Sequence, residues 1–132
     1  MPRTIEQAVT FKAGPARLYR ICLSSREHAK ACGGWGTSTI QARVGGRMTM
    51  APHITGKFLL LVPGKLIVQT WRGSDWKRSE PDSVLVLTLT SRRGSGRLTM
   101  VHANVPDGHA ASITRGWQTY YWRPWKRYFA RR

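Results

Sequence analysis

The side chains best suited to acid–base, nucleophilic or metal chemistry in this chain are four histidines, six carboxylates and two cysteines. His102 falls in phase with Leu98 and Met100 on an alternating apolar stretch, so it faces inward. There it serves either as a hydrogen-bonded core histidine or as a polar contact or proton-transfer group in a cavity. His53, near a strand start, is either an ordinary structural histidine or a rim residue, and His28 and His109 fall on helix surfaces. The carboxylates of Glu6, Glu27, Asp75, Glu80, Asp82 and Asp107 lie near termini, helix starts or turns, and no two are spaced for paired acid–base work. Cys22 and Cys32 sit on neighbouring helical segments, as two free buried thiols or as a disulfide. There is no CxxC, HExxH or Cys/His cluster, and no GxSxG, P-loop or GxGxxG unit. No catalytic residue, metal or cofactor is therefore assigned.

A stronger pattern comes from aromatic residues and methionines. In HAASITRGWQTYYWRPWKRYFARR, from His109 to Arg132, Ile113, Trp117, Tyr120 or Tyr121, Pro124 and Tyr128 recur at three- and four-residue intervals. They share one face of a long helix, and that face needs a concave partner. Inward strand positions supply Met48, Met50, Phe58, Leu60, Gln69, Trp71, Leu87, Met100 and His102, and Trp35 stands where it would close a mouth. Aromatic rings beside flexible methionines suit a small apolar ligand, with His102 or Gln69 as a directional anchor.

Charge points elsewhere. Twenty-two Lys and Arg against six Asp and Glu give a net +16, a field that attracts polyanions or an oppositely charged protein. Lys77, Arg78, Arg92, Arg93, Arg123, Lys126, Arg127, Arg131 and Arg132 are the candidate contacts. RPWKRYFARR mixes cations with aromatics, as single-stranded nucleic acid binding requires. The cations are scattered rather than striped, and no recognised nucleic-acid motif accompanies them. No apolar run is long enough to span a membrane, and no apolar leader opens the chain, so the expected location is the cytoplasm.

These residues must be positioned by a definite order of elements. Ile5 to Phe11 reads as a strand, broken by Gly14-Pro15. Two short helices follow over Ala16 to Leu23 and Arg26 to Ala31, the second capped by Ser24 or Ser25 and stopped by Gly33-Gly34. About six strands come next: Ser38 to Val44, Arg47 to Ala51, His53 to Val62 with a bulge at Gly56, Lys65 to Arg72, Ser83 to Thr90, and Arg97 to Val105. Gly73 to Pro81 is a polar loop, and Pro124 should kink the final helix unless the helix bends round the sheet rim. Short turns between strands imply an antiparallel sheet, and 132 residues fit one α+β domain.

That order, together with VTFKAGPARLYRICLSSREHA (9 to 29), VGG (44 to 46), ITGKFLLLVPGKLIVQTWRGSDW (54 to 76), RLTMVHANVP (97 to 106) and GWQTYYWRPWKRYF (116 to 129), resembles the START-like (SRPBCC) helix-grip superfamily. The branch it is similar to is that of the activator of Hsp90 ATPase homologues. The resemblance implies about seven antiparallel strands curved around the C-terminal helix with an apolar cavity between them. It implies ligand binding more than catalysis, with co-chaperone-like protein interaction as an alternative. Against that branch +16 is unusual, and the cations occupy turn and helix-surface positions with the core pattern intact. Such a distribution reads as an engineered, positively supercharged scaffold.

Overall fold

Alternation builds the sheet. In Ser83–Arg92, Ser83, Leu85, Leu87 and Leu89 are buried while their neighbours face outward, and Ser95–Val105 alternates in the same way through Leu98, Met100 and His102. The computed structural model describes residues 1–130. Its strands are β1 (Arg3–Phe11), β2 (Thr37–Ile40), β3 (Arg47–Ala51), β4 (Ile54–Val62), β5 (Leu66–Gly73), β6 (Ser83–Arg92) and β7 (Ser95–Val105). They form one antiparallel sheet in the order β1-β7-β6-β5-β4-β3-β2. Helices α1 (Pro15–Leu23) and α2 (Ser25–Ala31) follow β1, and a long C-terminal helix closes the chain. This is the expected α+β helix-grip arrangement. Among the described residues no helix is long and apolar enough to cross a membrane.

Local chemistry explains the boundaries. Pro15 opens α1, where a missing N–H costs nothing, and the Ser24 hydroxyl accepts the Glu27 N–H at 3.2 Å to cap α2. Strand β2 stops at Ile40 rather than continuing to Val44. Residues 41–46 instead form a turn in which the Gln41 side chain accepts the Arg47 N–H at 3.0 Å. The expected bulge at Gly56 lies further on. Register shifts between Phe58, opposite Gln69, and Leu60, opposite Val68, so Leu59 is an extra residue on β4. Because side chains alternate with period two, this extra residue takes Leu60 out of phase with Phe58. Phe58 is 1% exposed and Leu60 is 46% exposed, which corrects the inward assignment of Leu60.

The C-terminal helix comprises α3 (Asp107–Gly116), a π-helical stretch (Trp117–Trp122) and α4 (Arg123–Ala130). The backbone widens just before Pro124, and the Arg123 N–H reaches five residues back to the Gln118 carbonyl. The wider turn changes the helical phase. Trp122, Trp125 and Phe129 become core residues, and Phe11 meets all three with ring centroids 5.7–6.2 Å apart. Space between this half of the helix and the sheet is filled.

At the end of the sheet beside α1, β7 carries Gly96 directly beneath the turn into that helix. A Cβ there would stand 2.4 Å from the Ala13 carbonyl oxygen and 2.7 Å from a Leu18 methyl. Gly96→Ala is expected to lower unfolding free energy by about 2–4 kcal/mol, because the obstacle is backbone rather than a flexible side-chain tip. Urea denaturation of the two chains measures it, and an unchanged midpoint would contradict the close approach.

Candidate functional site

A buried relay of hydrogen bonds ties the helix to three strands. The Ser83 hydroxyl on β6 donates to the Trp71 carbonyl of β5 at 2.6 Å, so its lone pairs are left to accept from His102 Nε2 at 2.7 Å. The Trp117 indole N–H, which can only donate, meets His102 Nδ1 at 3.1 Å. Together these partners specify the neutral Nε2–H tautomer. Burial pushes the His102 pKa down to about 4. His102 is thus a satisfied core histidine. Its Nε2 carries a proton and its Nδ1 faces an indole rather than a carboxylate, so in this arrangement it cannot take a proton from Ser83.

Next to this relay lies a half-open cavity of about 480 Å³ between the N-terminal half of the C-terminal helix and the adjacent end of the sheet. Of the pocket candidates, Trp35, Trp71, Ile113, Trp117, Tyr120 and Tyr121 line it. Met48, Met50, Phe58, Gln69, Leu87, Met100 and His102 are buried but pack in the core away from its wall, and Leu60 faces outward. The aromatic groups form a continuous arc. His109 stacks on Trp76 with centroids 5.7 Å apart, Trp76 lies 5.8 Å from Trp71, and Trp71 lies 6.0 Å from Trp117. Trp117 approaches Tyr121 at 4.7 Å, Tyr121 approaches Trp35 at 5.7 Å, and Trp35 meets Tyr120 at 5.5 Å and His53 at 5.8 Å.

The π-helical stretch positions half of this arc. Pro124 has no N–H to return to the Tyr120 carbonyl four residues earlier, and the Trp35 indole N–H donates to that carbonyl at 2.9 Å. The loop between α2 and β2 is thereby fastened to the helix at the lip of the cavity. Tyr121 turns inward and Tyr120, 52% exposed, stays at the rim.

Several site residues had no clear signal in the sequence. Trp76 falls in the stretch that reads as a polar loop, yet it is buried because Arg72 organises that loop. The Arg72 guanidinium donates to the Glu80 carbonyl at 2.6 Å and the Lys77 carbonyl at 2.7 Å, pairs with Asp82 at 3.3 Å, and lies 5.8 Å from the Trp76 ring. His109, expected on a helix surface, lines the cavity, with Nδ1 3.8 Å from Asp75 and Nε2 3.4 Å from Glu80. Asp75 also lines it, as do Ser74, Ser112 and Gly116, whereas among the described residues no Lys or Arg does.

His28 is a second correction. Rather than lying on the surface it is 4% exposed, donates from Nδ1 to the Ile21 carbonyl at 3.0 Å, and packs against Tyr121 and Trp125. Its Nε2 is buried without a partner, and burial lowers its pKa to about 4. Cys22 and Cys32 are free, buried thiols, each raised to about 12 chiefly by burial. Among the described residues no group of three or more His, Cys, Asp or Glu side chains is arranged to hold a metal ion.

The basic candidates are dispersed. Lys77-Arg78 and Arg92-Arg93 flank opposite ends of β6, roughly 30 Å apart at strand spacing. Arg123, Lys126 and Arg127 are exposed on α4, and Arg131 and Arg132 lie outside the described residues. Four of the six carboxylates, Asp75, Glu80, Asp82 and Asp107, cluster in the β5–β6 loop and at the start of α3, beside the cavity. At the other end of the strands, residues 62–66 and 92–95 hold Lys65, Arg92 and Arg93 and no acid.

Comparison with known proteins gives a consistent picture. Residues 12–130 match the family described as activator of Hsp90 ATPase homolog 1-like protein. The human activator of 90 kDa heat shock protein ATPase homolog 1 is 31% identical over 126 residues, covering 91% of this chain and 35% of that protein. The mouse counterpart is 30% identical over the same share, so the chain spans only about a third of the length of these relatives. An Hsp90 activator from Plasmodium falciparum superposes with a TM-score of 0.83 at 19% identity, over 91% of each chain. Protein CV1439 from Chromobacterium violaceum superposes with a TM-score of 0.77 at 28% identity, over 98% of each chain.

The two buried histidines predict a pH dependence. Both folded-state values, about 4, lie below the ordinary 6.5, so between those limits the unfolded chain binds protons that the folded chain excludes. Their contribution is complete above pH 6.5 and is lost as pH falls towards 4, each titration being worth on the order of 3 kcal/mol at most. Urea midpoints measured across that window should fall with pH, and the slope should be shallower in His102→Asn. A flat profile would sink the assignment of both imidazoles as buried and neutral.

Proposed function

The chain belongs to the family of activator of Hsp90 ATPase homolog 1-like proteins, and from that premise we propose that it binds a small, largely apolar molecule in the cavity between its C-terminal helix and its sheet. The observation that carries this reading is the contrast within the core. One half of the helix packs solidly through Trp122, Trp125 and Phe129, while the other leaves about 480 Å³ beside an arc of Trp and Tyr rings. That volume lies within the usual range for small-molecule sites, and rings supply large contact area at little conformational cost. The polar chemistry favours binding over catalysis, because the Ser83–His102 pair is committed to structure at both ends.

A second reading rests on the relatives. Alignment across 91% of this chain with a human protein named as an activator of a heat shock protein ATPase supports a protein partner of that kind. Association with polyanions through Arg123, Lys126 and Arg127 rests on charge alone and ranks below both.

Gly116 separates the two leading readings. It lines the cavity with ordinary helical angles, and the nearest obstacle to a Cβ is a Tyr120 ring carbon at 3.7 Å. Gly116→Leu should therefore stabilise the helix by about 0.5–1 kcal/mol while occupying ligand space. The neutral fluorophore N-phenyl-1-naphthylamine should bind the parent chain with a dissociation constant on the order of tens of micromolar, and about tenfold more weakly after the substitution. Equal affinity for both chains would remove the cavity from the binding reaction. For the partner reading, ATP turnover by a purified 90 kDa heat shock protein should rise when the chain is added. It should rise equally with Gly116→Leu if the partner surface is separate from the cavity, and no rise with either chain would refute the reading.

A further inference from the structure

Resting on the cavity reading, the geometry points to a narrower class of occupant: an organic cation, an ammonium group on an apolar or aromatic body. The first support is composition at the wall. Lys and Arg make up 22 of the 132 residues, yet among the described residues neither type lines the cavity, and Asp75 is the one acidic side chain that does. A random sample of this surface would be cationic.

The second support is the set of partners around that acid. Asp75 Oδ2 lies 3.8 Å from His109 Nδ1, too long for a hydrogen bond, and no closer cation meets it among the described residues. On the other side of the same imidazole stands Glu80 Oε1 at 3.4 Å. Two carboxylates thus converge on one imidazole at the lip, although the chain carries +16 overall. The nearby cations are engaged or lie off the wall. Arg72 is held by Asp82 and by the Glu80 and Lys77 carbonyls, Arg3 is paired with Asp107 at 2.7 Å, and Lys77 and Arg78 do not reach the wall. The remote cations are screened over a Debye length of about 8 Å at physiological salt.

The third support is the aromatic arc. Indole and phenol rings attract cations electrostatically through their π-systems, and a carboxylate beside such rings adds to the attraction. Trp76 already holds the Arg72 guanidinium on this principle, 5.8 Å from its ring. An apolar ligand without charge would use the rings for area alone and leave the carboxylate at the lip idle.

Three probes of nearly one shape test the inference: benzyltrimethylammonium, its neutral carbon analogue neopentylbenzene, and phenylmethanesulfonate. Each is titrated against tryptophan fluorescence in 150 mM salt. The cation should bind about tenfold more tightly than the neutral compound and the sulfonate most weakly, and Asp75→Asn should remove about three- to fivefold of the cation's affinity while leaving neopentylbenzene unchanged. Equal affinity of cation and neutral analogue overturns the inference and leaves the cavity reading standing. Preference for the sulfonate also overturns it, since the net charge would then be the controlling force. Failure of all three to bind, in the parent chain and in Gly116→Leu alike, sinks the cavity reading with it.

Discussion

One buried imidazole holds the working parts of this molecule in place. His102 reaches from β7 to the helix through Trp117 and to β6 and β5 through Ser83 and Trp71. An apolar residue there would fill the space but would leave the Trp117 indole N–H without a partner, at a cost of about 1–3 kcal/mol, and the Ser83 hydroxyl with only its bond to the Trp71 carbonyl. The relay is directional, because only the Nε2–H tautomer satisfies all its members, whereas the Nδ1–H form would set the His102 and Trp117 N–H groups against each other. It therefore specifies where the helix crosses the sheet, and with it the relative placement of Trp71 and Trp117, the two rings at the back of the cavity.

The π-helical stretch decides how far that cavity extends. A uniform α-helix would keep one aromatic seam along its length. The extra backbone width before Pro124 shifts the phase instead, so that Trp122, Trp125 and Phe129 close one half while Trp117 and Tyr121 wall the other. The carbonyl freed by the proline is then used to anchor Trp35, and through it the loop that borders the opening. Packing, backbone irregularity and pocket shape are one arrangement here.

Much of this was legible in the sequence. Strands β6 and β7 follow from strict alternation, the helix order from Gly14-Pro15, Ser24 and Gly33-Gly34, and the family from motifs spread along the chain. Half of the aromatic wall was also visible, because Trp117 and Tyr121 keep helical spacing with Ile113 on any reading. What was hidden depends on irregularity or on distant partners. Leu60 left the inward face through one extra residue on β4, which periodicity alone does not reveal. Trp76 belongs to the wall only because Arg72 folds the following loop around it, and His109 only because that loop brings Asp75 and Glu80 to its ring. His28 looked like a surface residue because its neighbours are polar, whereas its partners come from α1 and the C-terminal helix.

The uneven placement of charge has a consequence for orientation. With four carboxylates gathered in the β5–β6 loop and at the start of α3, and acid-free turns at the other end of the strands, the molecule carries a permanent electric moment along the sheet. Near any extended anionic surface, a torque would turn the acid-free end towards that surface before contact. The cavity mouth would then open towards bulk solution, so electrostatic tethering and exchange with dissolved molecules would not compete for the same face.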